Sequence, residues 1–191
     1  MQPPDGHHEV LYWKITDNLG RVLVINLLGL FLLVLSMVGF RGWAALWQPA
    51  RNASTRSALE LLWLIVGLLL TIVLHELVHG LAIRLFGGKP TYGVILKGLM
   101  FYATASGHAF RRDQYIGVAL APLVLGSLAG AVLLMLPLSD ALAWIISICA
   151  AINVTGAIGD LWITAVVLRY PSTAYVVDEK DGMRIYLVEN R

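Results

Sequence analysis

The chain has 191 residues, 58% of them hydrophobic and 14% charged, with a net charge of +2 and a mean hydropathy of +0.74. A soluble domain carries about 25% charged residues, so this composition excludes an ordinary soluble globule, and a near-balanced charge gives no reason to expect a nucleic-acid partner. The single cysteine, Cys149, excludes an intrachain disulfide and a cysteine-rich metal site.

The first twenty residues, MQPPDGHHEVLYWKITDNLG, are polar and mixed and show no signal-peptide pattern. His7, His8 and Glu9 read as part of a solvated tail. Four apolar segments follow: Val22–Phe40, Ala58–Phe86, Tyr115–Leu136 and Ala141–Leu168. Each reaches the roughly 20 residues that cross a ~30 Å hydrocarbon core. The fold expected is an all-α membrane protein, one integral domain over residues 1–191 with four transmembrane helices. Residues Trp43, Trp47 and Trp63 suit an outer aromatic belt, and Pro122 is expected to kink the third span.

Between the second and third spans lies GGKPTYGVILKGLMFYATASGHAFRRDQ, Gly87 to Gln114. Gly-Gly and Pro90 stop the preceding helix. The β-branched, aromatic, Gly-punctuated stretch predicts one or two strands at the membrane surface. The tail, STAYVVDEKDGMRIYLVENR, predicts a second small hairpin turning at DEKDG.

Lys and Arg set the orientation. With four spans, 11 basic residues fall on the side of both termini: Lys14, Arg21, Arg84, Lys89, Lys97, Arg111, Arg112, Arg169, Lys180, Arg184 and Arg191. Only Arg41, Arg51 and Arg56 fall on the other. The positive-inside rule puts both termini in the cytoplasm, in a membrane expected to be a prokaryotic cell membrane. Asn52-Ala53-Ser54, on the outer side, is a sequon that matters only in a eukaryotic secretory membrane.

The second span carries the chemistry. His75-Glu76-Leu77-Val78-His79 is an H-E-x-x-H motif inside a lipid-soluble run. On a helix, positions i and i+4 lie about 40° apart, so both imidazoles can grip one metal ion. Glu76 falls about 100° around, within reach of a water at the metal, where the motif uses a general base. Gly80 lets another group approach. Ionisable side chains within a span are costly and are rarely there without a use.

A catalytic zinc needs three protein ligands and an open position. His108 and Asp160 are the candidates for the third. Asn153, Gly156, Asp160 and Thr164 share one helical face of the fourth span. His75 precedes Arg84 by nine residues, and Asp160 precedes Arg169 by nine, which places both about 13 Å above the cytoplasmic helix ends. Depth therefore favours Asp160. The expected cofactor is one Zn²⁺ per chain, with Fe²⁺ or Co²⁺ suited to similar ligands. His108 and Asn153 remain candidates for substrate or oxyanion contacts.

HELVHG, FGGK, RRDQYIGVALAPL, NVTGAIGDLW and VVDEKDG together resemble a membrane-bound family of putative zincin peptidases, from the second span to the tail. The order of motifs is also similar to that of site-2 proteases, which cut membrane-embedded substrates with an H-E-x-x-H helix and a distant Asp. The resemblance implies His75, His79 and Asp160 as ligands and Glu76 as base, with β elements that accept an extended substrate. Site-2 proteases present their Asp in a Pro-containing segment followed by Gly; here no Pro separates Asn153 from Asp160, and Leu161 follows. The expected activity is zinc-dependent intramembrane proteolysis, with membrane lipids and a membrane-protein or peptide substrate as partners. A non-catalytic metal-binding membrane protein (sensor, scaffold or transporter) is the alternative, disfavoured by the extra carboxylate of Glu76.

Overall fold

A computed structural model describes residues 5–14, 18–48, 57–95, 100–179 and 182–188. Arg51, Arg56, the sequon, Lys97, Lys180 and Arg191 lie outside the described residues.

Each long helix begins where a side chain can take up backbone N–H groups that have no helical acceptor. Asn18 Oδ1 accepts from the Arg21 N–H at 3.0 Å ahead of α1 (Leu19–Trp47). At the start of α2 (Ala58–Leu85), Ser57 and Glu60 form a capping box, each backbone N–H donating to the other's side chain at 3.2 Å. α3 spans Arg112–Leu133. Ser139 caps α4 (Asp140–Gly156) by accepting from the Leu142 N–H at 3.3 Å, and α5 (Ile158–Val167) follows after a break at Ala157.

α2 stops at the predicted glycines. Gly87 has φ +84°; its N–H donates to the Arg84 carbonyl at 3.0 Å, and the Gly88 N–H donates to that of Ile83 at 2.9 Å. This pair of bonds is a Schellman closure, in which the left-handed residue is normally glycine.

The helices α1, α2 and α3 and the run Asp140–Val167 are each long and apolar enough to cross a membrane. Helix α1 passes through Arg41 and Gly42, beyond the expected end at Phe40, because Ala44 packs against Leu134 and Ala143. The third helix starts at Arg112, three residues before the predicted Tyr115, and the chain leaves it in tight turns at Met135 and Leu136.

The strand content exceeds the expectation of two small β elements. Strands β2 (Thr91–Ile95) and β3 (Met100–Thr104) form the expected antiparallel hairpin. The tail hairpin of β5 (Tyr175–Glu179) and β6 (Gly182–Val188) is also present, but it is the centre of a four-stranded antiparallel sheet, ordered β1-β6-β5-β4. β1 is His7–Lys14 and β4 is Ala109–Arg111. The reading of His7, His8 and Glu9 as a solvated tail is corrected: they pair with Val188, Leu187 and Tyr186. Arg184 reinforces the pairing, donating to Glu9 at 2.9 Å and to Glu179 at 3.0 Å.

Contacts gather the chain into two compact units. One comprises Met1–Ile25, Glu76–Ala121 and Gly159–Arg191. Its core lies under the sheet, where Phe110, Val176, Met183 and Ile185 are fully buried against Ile83, Tyr115, Val118 and Val167. Met183 and Ile185 alternate with half-exposed neighbours, as a strand with one covered face requires. The other unit comprises Asn26–His75 and Pro122–Ile158. It is held by close helix approach: the Trp43 indole N–H donates to the Ala131 carbonyl at 2.9 Å, and a Cβ at Gly130 would stand 2.7 Å from that of Ala150. Small residues at such crossings let apolar helices pack without a hydrophobic driving force.

Candidate metal centre

His75 and His79 lie one turn apart on unbroken α2, and α5 carries Asp160. The three offer one ligand atom each, all within 4.8 Å of one another. His79 Nε2 and Asp160 Oδ2 are 3.5 Å apart. Two ligands held about 2.0–2.1 Å from one zinc at a tetrahedral angle stand about 3.4 Å apart, so this pair already has the spacing of a shared ion. The donor set, two imidazoles and one carboxylate, suits Zn²⁺.

Hydrogen bonds fix which ring nitrogen each histidine turns toward the cluster. His79 Nδ1 lies 3.0 Å from the Val118 carbonyl oxygen. A carbonyl only accepts, so Nδ1 carries the proton and the lone pair of the neutral ring sits on Nε2. For His75 the same logic takes two steps. Asn153 Nδ2 donates to the Pro122 carbonyl at 3.1 Å, which settles the orientation of the amide. Asn153 Oδ1 therefore faces His75 Nδ1, at 3.1 Å, and accepts its proton. Both histidines thus present Nε2, the arrangement by which buried partners orient metal-binding imidazoles.

Of the polar and small face predicted for the fourth span, Asn153 and Thr164 are buried, Asp160 is partly buried and Gly156 is exposed. A Cβ at Gly156 would lie 3.9 Å from His75 Cε1. Glu76 is partly buried, directly after His75 on α2. The space left at Gly80 is taken by the Tyr92 hydroxyl from β2; a Cβ at position 80 would collide with it.

His108 does not join the cluster. It stacks edge-on against Phe110, with ring centroids 4.5 Å apart, and bonds to the Phe86 backbone at the end of α2. Burial holds it below the ordinary histidine value. Asn153, a candidate for substrate contact, has both amide ends engaged in the bonds above.

Sequence reasoning passed over three groups: the Val118 carbonyl, Tyr92, and the pair Tyr115–Asp178. The Tyr115 hydroxyl donates to Asp178 Oδ1 at 2.8 Å, joining α3 to β5. Burial pushes the Asp178 carboxyl up to about 6. The available signal was weak: Asp178 follows the apolar YVV of β5 but opens the run DEKDG, which reads as a turn.

The model of a family described as "Putative zincin peptidase" matches residues 68–175, which include α2 from Leu68 onward and the whole of α3, α4 and α5, and with them His75, Glu76, His79 and Asp160. An uncharacterized 24.7 kDa protein in the gap 5' region of Pyrococcus woesei is 30% identical over 147 residues, covering 72% of this chain. The match spans 60% of that relative's length. No solved structure matches the chain.

Proposed function

Because the chain belongs to the putative zincin peptidase family, we propose that it is a membrane-embedded zinc metallopeptidase that hydrolyses peptide bonds of membrane-embedded or membrane-proximal substrates. The convergence of His75, His79 and Asp160, with Glu76 beside the first ligand, is the observation that carries this reading. Membrane insertion is supported by the outward faces of α1 and α2: Leu27, Phe31, Leu62 and Leu69 are all more than half exposed. A protein in water rarely leaves so continuous an apolar surface open. Both termini are cytoplasmic in this reading.

His75, His79 and Asp160 would hold one zinc ion per chain. The ion would supply Lewis acidity, lowering the pKa of a water and polarising the scissile carbonyl. Glu76 takes the proton from the attacking water and returns it to the leaving amine. Val118 and Asn153 keep each imidazole in the tautomer that binds.

Metal content and cleavage, measured together, test this. Glu76→Gln keeps the size of the side chain and is not a ligand substitution, so zinc stays near one per chain. Loss of the general base should slow cleavage about 10²–10⁴-fold. Peptide ends in membranes carrying wild type or Glu76→Gln report the cleavage. Identical peptide ends with zinc bound in both would leave a non-catalytic metal-binding protein as the better reading. His75→Ala or His79→Ala with full zinc would overturn the ligand assignment.

A further inference from the structure

A proline inside a helix lacks the N–H that would bond the carbonyl four residues earlier, and it costs the helix about 3 kcal/mol. Pro122 lies inside α3 and is fully buried. Four residues before it stands Val118. The carbonyl that has no i+4 N–H to accept from is therefore the one that holds His79 Nδ1 at 3.0 Å. The proline's own carbonyl accepts from Asn153 Nδ2 at 3.1 Å, and Asn153 Oδ1 accepts from His75 Nδ1 at 3.1 Å. One residue stands behind both imidazoles, once by the N–H it lacks and once by the carbonyl it offers.

The glycine one turn further on completes the arrangement. Gly126 is four residues after Pro122, on the same face of α3. A Cβ there would lie 2.6 Å from Asn153 Cγ, so only glycine lets the amide reach the Pro122 carbonyl from the side.

We propose that Pro122 is a positioning residue of the metal centre, setting the tautomer and aim of both His75 and His79. This rests on the reading of the two histidines as zinc ligands. An effect of the proline ring alone would be lost equally in any variant without the ring, whether or not position 122 carries an N–H.

That difference is the test. Pro122→Ala restores an N–H able to bond the Val118 carbonyl in place of His79. Lactic acid built in at position 122 by cell-free translation has alanine's shape but an ester oxygen where the N–H would be. The readouts are the ring ¹⁵N shifts of His79 in metal-free, histidine-labelled protein, and zinc affinity by chelator competition. Pro122→Ala should lose the fixed Nδ1–H tautomer and bind zinc about 10–100-fold more weakly, the usual cost of losing an outer-shell partner. The lactic acid variant should keep the wild-type tautomer and affinity. Wild-type tautomer and affinity in Pro122→Ala, or equal losses in both variants, would overturn the role of Pro122. Zinc binding by wild type separates the two readings: its absence sinks the metal centre itself, whereas wild-type binding with an unchanged Pro122→Ala sinks only this inference.

Discussion

Asn153→Ala removes the link between His75 and α3. Two hydrogen bonds are lost, each 3.1 Å long and one of them to His75 Nδ1. Asn153 is 6% exposed, so water does not readily replace the amide. A hydrogen bond contributes about 1 kcal/mol net, so the metal-free protein should lose about 2 kcal/mol of stability. Without its acceptor the His75 ring can turn, and zinc affinity should fall about 10–100-fold, or about 1.4–2.7 kcal/mol. Asn153→Asp separates the two effects: the carboxylate still accepts from His75 Nδ1 but cannot donate to the Pro122 carbonyl. Its zinc affinity should stay at or above wild type, while its metal-free stability falls because a carboxylate is buried against a carbonyl oxygen. The assay is competition with a zinc-chelating dye in detergent micelles, beside thermal unfolding of chelator-treated protein. Asn153→Ala binding zinc within twofold of wild type would refute the claim that this amide orients His75.

Gly126→Ala should reproduce the zinc loss of Asn153→Ala without touching a polar group, because the new methyl takes the space of the amide; unchanged affinity would mean that the helix yields instead. Gly80→Ala should leave the fold intact, since Tyr92 is 44% exposed and its hydroxyl end can swing aside, and unfolding should shift by no more than about 1 kcal/mol. For Asp178 the folded value, about 6, stands above the ordinary aspartate value of 3.8. The contribution is therefore present in full below pH 4 and is lost as pH rises through about 6, by at most about 3 kcal/mol, less for the solvent the side chain still meets. Asp178→Asn should flatten the stability of metal-free protein between pH 4 and 7, and an unaltered pH profile would exclude Asp178 as its source. Cysteines placed at Lys14 and Arg184 in a Cys149→Ser background should react only from the cytoplasmic side and one at Arg41 only from outside, a pattern that external labelling of Arg184→Cys would break.

Much of the helical architecture was legible because it depends on local rules. Four apolar runs became helices, and Gly87-Gly88 closed α2 where their sequence predicted. The H-E-x-x-H spacing puts two imidazoles on one face whatever the rest of the chain does. Asp160 could be chosen by depth because straight helices convert residue counts to distance. Strand β1 was missed for the opposite reason. HHEVLYWK has a mixed face, and its partner β6 lies at the far end of the chain, so only pairing between distant segments makes it a strand. The second break in local reasoning came at Pro122, read as a kink. A proline's effect on its own helix is local, but what accepts or donates in its place is decided by the neighbouring helices α2 and α4.

Some of the residues that serve α2, α3 and α4 least as helix formers lie around the candidate metal centre, whereas Gly67, Gly117 and Gly130 pack on Cys149, Phe86 and Ala150. Gly80 meets Tyr92, Gly126 meets Asn153, and Gly156 meets His75. Pro122 leaves the Val118 carbonyl to His79. Each glycine inside a helix costs about 1 kcal/mol relative to alanine and the proline about 3, and in an apolar span such residues bring no solubility in return. Gly39 and Gly42 of α1 show the contrast, with open space where a Cβ would stand. Helix-weakening residues are therefore informative when a polar side chain fills the gap they leave. In this chain the gap at Gly126 and the carbonyl exposed by Pro122 belong to the shell proposed to aim His75 and His79. Such a pairing is expected where local stability has been given up to hold a functional geometry.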